Sequence, residues 1–173
     1  MKLNREERIE LKNNQREELK SLWDAGIPGL VLSKEEIDKL RDEFHSWAIH
    51  FQLHLIKEGS KKLLHDYEKL IYSIENSTCE HDGKINKGKD WQNCCGIYYE
   101  YLNDISCRTA IEIIIKTISI NENNEFIANV EKFDRRFKAV PKRQKWIVSD
   151  NAIEKYQKKN YWWYFGLPLT VLE

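Results

Sequence analysis

"SKEEIDKLRDEFHSWAIHFQLHLIKEG", residues 33–59, is the stretch that predicts a mainly helical fold. It opens with a capping box, in which the Ser33 side chain bonds the amide of Glu36 and the Glu36 side chain reaches back. Apolar residues then recur at helical spacing, at Ile37, Leu40, Phe44, Trp47, Ala48, Phe51 and Leu55. The second half is also apolar on its far side, which is typical of a buried helix. We therefore expect one helix that runs to about Glu58, ends at Gly59 and lies at the centre of the fold.

The flanking sequence predicts further helices on both sides of this stretch. A charged helix precedes it over residues 5–25, and a helix over residues 61–76 follows with Ser60 as its cap. Helical patterns return at Trp91 and over residues 125–138. We therefore expect a mainly α fold.

The sequences of two segments are compatible with more than one secondary structure. "AIEIIIKTISI", residues 110–120, fits either a strand or a buried helix, and we assign a helix because the sequence offers no clear strand partner. Residues 77–90 contain two glycines and many turn formers, which predicts a loop or a small hairpin.

The chain length bounds the organisation of the fold. A domain of 173 residues buries about 70% of its unfolded surface, so it needs neither disulfide nor metal for stability. We expect a single domain over residues 1–173, a bundle of five to six helices with a frayed first helix over residues 1–25. A basic and aromatic region over residues 125–173 ends in an irregular or extended tail.

The tail carries five consecutive aromatic residues, "YWWYF". In an extended segment alternate side chains share a face. We therefore expect Tyr161, Trp163 and Phe165 to plug the core, and Trp162 and Tyr164 to be the contact residues for a partner.

Charge and hydropathy exclude several classes of protein. The 28 Lys and Arg residues balance the 28 Asp and Glu residues, so the whole chain has no strong field for nucleic acid. No apolar run approaches the roughly 20 residues of a membrane span, and the charged amino terminus has no secretory pattern. We expect a cytoplasmic protein with four reduced cysteines and no membrane partner.

The expected central helix places several ionisable groups together. Glu43, His50 and His54 would fall within about 40° of one another, and two histidines four residues apart can bind one metal. Border histidines that bond a neighbouring helix are commoner, so we expect no metal there. Arg41 and His45, with His50 and His54, are the candidate catalytic residues of an alternative hypothesis, a nuclease.

The cysteines give a second metal candidate. "CEH", Cys79 to His81, precedes the adjacent Cys94 and Cys95. Adjacent positions point about 100° apart on a helix, so only one of the two would reach a metal shared with the first pair. We therefore expect buried thiols that pack as small apolar groups, and neither a metal nor another cofactor.

The clearest regional feature is basic. Residues 132–146, "KFDRRFKAVPKRQKW", hold seven Lys or Arg residues and one Asp, with aromatic residues between them. Such a pattern favours an acidic protein surface or single-stranded RNA, although cations also gather at ordinary helix C-termini. The candidate partner-binding residues are Arg135, Arg136, Lys138, Lys142, Arg143, Lys145, Trp162 and Tyr164.

These patterns predict a non-catalytic protein that binds a macromolecule. An inhibitor or immunity-type partner of a bacterial toxin or defence protein fits the size, the neutral charge and the missing catalytic motif. Another protein is the expected partner, with RNA as the second possibility. The alternative is a helical-bundle nuclease or RNA-binding protein that uses the basic segment and the histidines.

Overall fold

The computed structural model of the chain describes residues 4–81 and 83–172, and for Arg8 and Lys12 the backbone alone. Within these residues the helices are α1 (Arg5–Trp23), α2 (Lys34–Phe44), α3 (Ile49–Asn76), α4 (Lys89–Gln92), α5 (Tyr98–Thr117), α6 (Asn124–Ala139) and α7 (Asp150–Lys158). The strands are β1 (Thr78–His81), β2 (Lys84–Lys87), β3 (Lys142–Trp146) and β4 (Phe165–Pro168), and a 3-10 turn covers Trp162–Tyr164. The mainly α fold class is confirmed.

The chain divides into two compact units. The first unit contains the residues up to Leu63 together with Ile113–Ile127, and the second contains Leu64–Glu112 together with the residues from Ala128 onward. The single domain over residues 1–173 stays a prediction. Among the described residues, none of the helices combines the length and the apolar character that crossing a membrane requires.

The capping box at Ser33 is confirmed, but the single helix expected up to Glu58 is wrong. Helix α2 ends at Phe44, and α3 begins only at Ile49. The three apolar residues of α2 that face inward, Ile37, Leu40 and Phe44, are buried as expected. Among the other residues of the predicted stripe, Leu55 is buried, Trp47 and Phe51 are half-buried and Ala48 is exposed. The stripe is therefore confirmed at both ends and interrupted where the helix breaks.

A buried glutamine stabilises the interruption between α2 and α3. The side-chain amide of Gln52 donates to the carbonyl oxygen of Trp47 at 2.9 Å and accepts from the indole N–H of Trp23 at 3.2 Å. A backbone carbonyl that leaves a helix must find another donor when water is excluded. Gln52, only 3% exposed, supplies that donor from inside the first unit.

The helix end expected at Gly59 appears as a kink within α3. Gly59 has φ 78° and ψ −171°, outside the helical region. A Cβ atom there would lie 2.4 Å from the carbonyl oxygen of Pro28, the same oxygen that accepts from the amide of Ser60 at 2.9 Å. Glycine thus allows the backbone of α3 to approach the turn at Pro28, and helix resumes up to Asn76.

Two polar side chains fix the connections of the first unit. Glu36 accepts from the amides of Ser33 and Ser119, both at 2.6 Å. Asn123 is buried, and its side chain exchanges two hydrogen bonds of 2.9 Å with the backbone of Val31. These bonds hold residues 31–33 against the segment that joins α5 to α6.

The two open segments are settled by the structure. Residues 110–117 lie in α5, so the helix assignment is confirmed there. Strands β1 and β2 pair antiparallel as a hairpin, in which Thr78 of β1 faces Lys87 of β2. The hairpin reading of residues 77–90 is therefore the correct one.

A buried guanidinium lies at the centre of the second unit. Arg108, only 4% exposed, donates to both carboxylate oxygens of Asp134, at 2.8 and 2.9 Å, and to Glu112 at 2.9 Å. The Tyr67 hydroxyl donates to Asp134 at 2.8 Å. The ring of Trp163 covers the guanidinium, with 4.3 Å between Cζ and the ring centroid. This cluster joins α3, α5, α6 and the aromatic tail.

The aromatic tail packs onto the same helix. Thr109 accepts from the indole N–H of Trp163 at 3.1 Å and shares a 2.7 Å hydrogen bond with the Tyr164 hydroxyl. Strand β4 then pairs antiparallel with β3, with Trp146 opposite Phe165. The tail is therefore part of the core of the second unit.

The division of the tail into two faces was partly wrong. Tyr161 and Trp163 are buried as expected, but Tyr164 is also buried, at 7% exposure, while Phe165 is 40% exposed. The 3-10 turn over Trp162–Tyr164 breaks the alternation that an extended segment would have imposed. Tyr164 therefore lies in the core and not on the exposed side of the tail, where it was expected.

Replacing Asp134 by alanine is expected to lower the free energy of unfolding by about 3–5 kcal/mol, because the Arg108 charge would remain buried with one partner fewer. Urea denaturation followed by tryptophan fluorescence measures the change. The control is Glu154→Ala, which breaks the exposed pair with Lys158 and should cost at most about 0.5 kcal/mol. Equal losses in both variants would contradict the central role of the cluster.

The stability conferred by Glu36 should depend on pH. Hydrogen bonds, above all from the Ser33 amide, lower the pKa of Glu36. A carboxylate whose pKa is lower in the folded state than in the unfolded state stabilises the fold at pH values above its unfolded-state pKa. That stabilisation is lost as the pH falls through the folded-state pKa. Glu36→Gln should cost roughly 1 kcal/mol at pH 7 and progressively less toward pH 3. Thermal unfolding of the wild type and the variant between pH 3 and pH 7 measures this cost. A cost that does not change with pH would contradict the proposed role of the Glu36 carboxylate.

Candidate metal centre

The hairpin places Cys79 and His81 on one side of β1. Residues two apart in a strand point to the same face, so both side chains project together. Across the hairpin Cys79 pairs with Asn86, whose side-chain amide approaches the Cys79 sulfur at 3.7 Å. Strand β1 thus presents a sulfur and an imidazole, with an amide donor beside the sulfur.

Cys94 and Cys95 lie in the turn between α4 and α5. The amides of Cys94 and Gly96 both donate to the carbonyl oxygen of Trp91, at 3.0 and 2.9 Å, which closes a tight turn. Gly96 is required here because a Cβ atom would lie 2.7 Å from the Trp91 ring. The Gly96 carbonyl accepts from the amide of Leu172 at 2.7 Å. The C-terminal segment therefore fixes the backbone next to the two cysteines.

The hairpin and the turn bring four potential metal ligands together. One ligand atom from each of Cys79, His81, Cys94 and Cys95 lies within 4.8 Å of the others. Nε2 of His81 is 2.8 Å from the Cys95 sulfur. Ligand atoms about 2.3 Å from a common tetrahedral ion would lie about 3.8 Å apart. Separations of up to 4.8 Å would therefore shorten on binding an ion, and the 2.8 Å between His81 and Cys95 would lengthen by about 1 Å. In the described part of the chain this is the one group of three or more possible ligands that meets this distance.

Burial and mutual proximity determine the protonation of the thiols. Cys79 is buried, Cys94 and Cys95 are half-buried, and all are free thiols. Burial raises the pKa of Cys94 and Cys95, and the neighbouring Cys79 raises both further. A bound divalent cation reverses this preference, because it stabilises the thiolate directly. Three thiols gathered in this way are therefore suited to a cation.

The expectation that only one of the adjacent cysteines could reach a shared metal is wrong. It assumed a helix over both residues, but they lie in a turn, where their side chains are not held about 100° apart. Gly88 and Gly96 flank the segment and were the available sequence signals for that turn. The four residues thus form a cluster where the sequence predicted separate apolar thiols.

The histidines of the expected central helix lie elsewhere. His45 is the exposed C-cap of α2, and His50 and His54 are exposed on α3. The break between the helices removes the common face that Glu43 would have shared with the two α3 histidines. Arg41 pairs with Asp38 within α2 at 2.9 Å. These residues therefore do not lie on the single continuous helix that was expected to bring them together.

The predicted basic residues have different surroundings. Arg136 binds Glu75 at 2.7 Å and Glu68 at 3.3 Å. The Lys142 ammonium donates to the carbonyls of Phe137 and Val140 at the C-terminus of α6, and burial lowers its pKa to about 8. Both cations contribute to the fold of the second unit.

The remaining basic residues differ in exposure. Arg143 donates to the carbonyl of Val171 at 3.5 Å, and Lys145 is half-buried. Arg135 and Lys138 are exposed, and the Lys138 ammonium lies 4.5 Å from the ring centroid of the half-buried Trp162. Only a part of the basic segment therefore faces outward.

Sequence reasoning missed Arg108, a cation of the second unit that is only 4% exposed. The signal was present in "SCRTAIEIII", where Arg108 and Glu112 stand four residues apart within an apolar run. Charged residues are almost never fully buried unless they are paired. Asp134 was counted within the basic segment, although it is the partner that makes the burial possible.

Comparison with known proteins adds no relative: no family model, curated protein or solved structure matches the chain.

Proposed function

We propose that this protein binds zinc at Cys79, His81, Cys94 and Cys95, and that the ion has a structural role. The observation that carries this proposal is the convergence of three thiols and one imidazole within 4.8 Å. Three cysteines and one histidine are an established ligand set for structural zinc. Four protein ligands complete a tetrahedral coordination and leave no position for water or substrate, so the centre would not be catalytic.

The weak anchoring of the hairpin supports a structural role. Of the described residues in β1 and β2, Cys79 alone is buried, and Ile85 is 65% exposed. A two-stranded hairpin is at best marginally stable by itself. An ion that links β1 to the turn at Cys94 and Cys95 would offset the entropy of ordering both segments.

The metal proposal is tested by composition and stability. Protein purified with zinc should contain about one zinc ion per chain, and chelation should lower the unfolding midpoint by roughly 4–8 °C, equivalent to about 2 kcal/mol. Elemental analysis and calorimetry measure these values. Cys95→Ser should lose the zinc, because serine lacks the thiolate ligand.

Cys107→Ala is the matched control for the loss of a thiol. Cys107 is buried in α5 outside the ligand cluster, so this variant should retain its zinc. A wild-type protein without metal, whose stability is unaffected by chelators, would refute the proposal.

We further infer that the folded chain is a non-catalytic binding protein of the cytoplasm, where thiols stay reduced. The supporting surface is a cationic stripe, formed by the exposed residues Lys132, Arg135 and Lys138 of α6. Residues three apart on a helix step by about 60°, so the stripe covers one side of α6. The inward aromatic residues Phe133 and Phe137 are buried.

An acidic protein surface fits this stripe better than single-stranded RNA. Base stacking needs exposed aromatic faces, and the phenylalanines between these cations face inward. Complementary charge is sufficient to orient a protein partner. The inhibitor or immunity-type role belongs to this proposal, and the nuclease that uses Arg41, His45, His50 and His54 stays the alternative.

Reversing the charge of the stripe should abolish binding. Arg135→Glu combined with Lys138→Glu should lower partner recovery at least about tenfold in quantitative affinity purification, because attraction becomes repulsion. Arg16→Glu with Lys20→Glu, an equal change on exposed positions of α1, is the control. Unchanged recovery in the stripe variant would contradict the assignment, and loss of the partner after ribonuclease treatment would favour RNA.

A further inference from the structure

Two of the three cysteines of the candidate metal centre are accessible to small oxidants as well as to an ion. Cys94 and Cys95 are half-buried and His81 is exposed, whereas Cys79 is 6% exposed. We propose that hydrogen peroxide oxidises this centre to a disulfide between Cys79 and one of the adjacent cysteines, with release of zinc. This inference rests on the proposed zinc site and concerns its regulation.

The geometry selects which sulfurs can pair. Adjacent residues across a trans peptide have Cα atoms about 3.8 Å apart, below the range of about 4.4–6.8 Å that disulfides adopt. A bond between Cys94 and Cys95 is therefore disfavoured. Cys79 lies on β1, separate from the turn, and its ligand atom is within 4.8 Å of both sulfurs. Cys79 is thus the common partner for either cysteine.

The chemistry balances with peroxide as the oxidant. An accessible thiolate of Cys94 or Cys95 attacks one oxygen of hydrogen peroxide, the O–O bond breaks, and a sulfenic acid and hydroxide result. The Cys79 thiolate then attacks that sulfur, forming the S–S bond and expelling a second hydroxide. Two sulfurs lose two electrons in total, the two oxygens gain them, and two protons from the buffer convert both hydroxides to water.

Zinc release follows from the loss of ligands. Disulfide sulfurs are poor ligands because the thiolate is the form that binds metal. After the reaction His81 and one thiolate remain from the original four ligands. Reduction of the disulfide restores all three thiols, so the change is reversible when zinc is supplied.

Cys107 provides an internal reference for selectivity. It is buried in α5, and burial raises its pKa, so it is mostly protonated and shielded from peroxide. We expect its thiol to remain unmodified under conditions that oxidise the metal centre. Its replacement by alanine also simplifies peptide mapping, because residues 90–108 contain Cys94, Cys95 and Cys107 in one tryptic peptide.

The experiment treats zinc-loaded Cys107→Ala protein with hydrogen peroxide. A chromogenic chelator follows zinc release, and mass spectrometry follows the sulfurs. The expected result is stoichiometric release, with a mass lower by two hydrogens than that of the chelator-treated protein. Trypsin should yield peptide 70–84 cross-linked to peptide 90–108, and dithiothreitol with added zinc should restore the metal content. Cys79→Ser, loaded with zinc where it binds, should form no such cross-link.

The outcomes separate this inference from the zinc proposal. A protein that never holds zinc overturns the zinc proposal and this inference together. A zinc-loaded protein that keeps its metal in excess peroxide overturns this inference alone. Release accompanied by sulfinic acid, by an intermolecular disulfide or by a bond between Cys94 and Cys95 also overturns the proposed pairing.

Discussion

The second unit depends on the pairing of one buried positive charge. Arg108 can remain in the interior only while Asp134 and Glu112 accept its hydrogen bonds, because an unpaired buried charge costs several kcal/mol. Asp134 accepts these hydrogen bonds from its position on α6, and the hydroxyl of Tyr67 in α3 donates a further hydrogen bond to the same carboxylate. Three helices are therefore fixed around one guanidinium.

The aromatic tail completes this environment. The Trp163 ring lies over the guanidinium, where the negative face of the indole attracts the cation, and excludes water from it. Thr109, the neighbour of Arg108 in α5, accepts from the Trp163 indole. Three of the five consecutive aromatic residues, Tyr161, Trp163 and Tyr164, consequently belong to the core.

The first unit uses buried amides in a comparable way. Gln52 bonds the backbone where α2 and α3 separate, and Asn123 bonds the backbone of Val31. Each side-chain amide has a donor and an acceptor, so it can form hydrogen bonds with either a backbone carbonyl or a backbone N–H at an irregular turn. These residues allow interruptions that apolar side chains could not stabilise.

The candidate metal centre differs from these clusters in its position. The core side chains lie between helices, whereas the four ligands come from a short hairpin and a turn with little apolar burial. Zinc would supply there the stabilisation that the helices obtain from packing. Two of its cysteines, Cys94 and Cys95, are half-buried, whereas Cys107 is buried in α5.

Local patterns in the sequence were sufficient for the helical character of most segments and for the cap at Ser33. Helical spacing of apolar residues and the Ser33 capping box depend on neighbours within one or two turns, so the sequence by itself determined them. The kink at Gly59 was equally readable, because glycine alone tolerates such a conformation at low cost.

Only the tertiary structure decided the features that rely on residues distant in the chain. The break after Phe44 depends on Gln52 and Trp23, and the burial of Arg108 depends on Asp134, 26 residues away. The four metal ligands meet because a hairpin and a turn, rather than a helix, carry them. Periodicity describes which face of an element is apolar, but it contains no information on which distant polar group lies opposite that face.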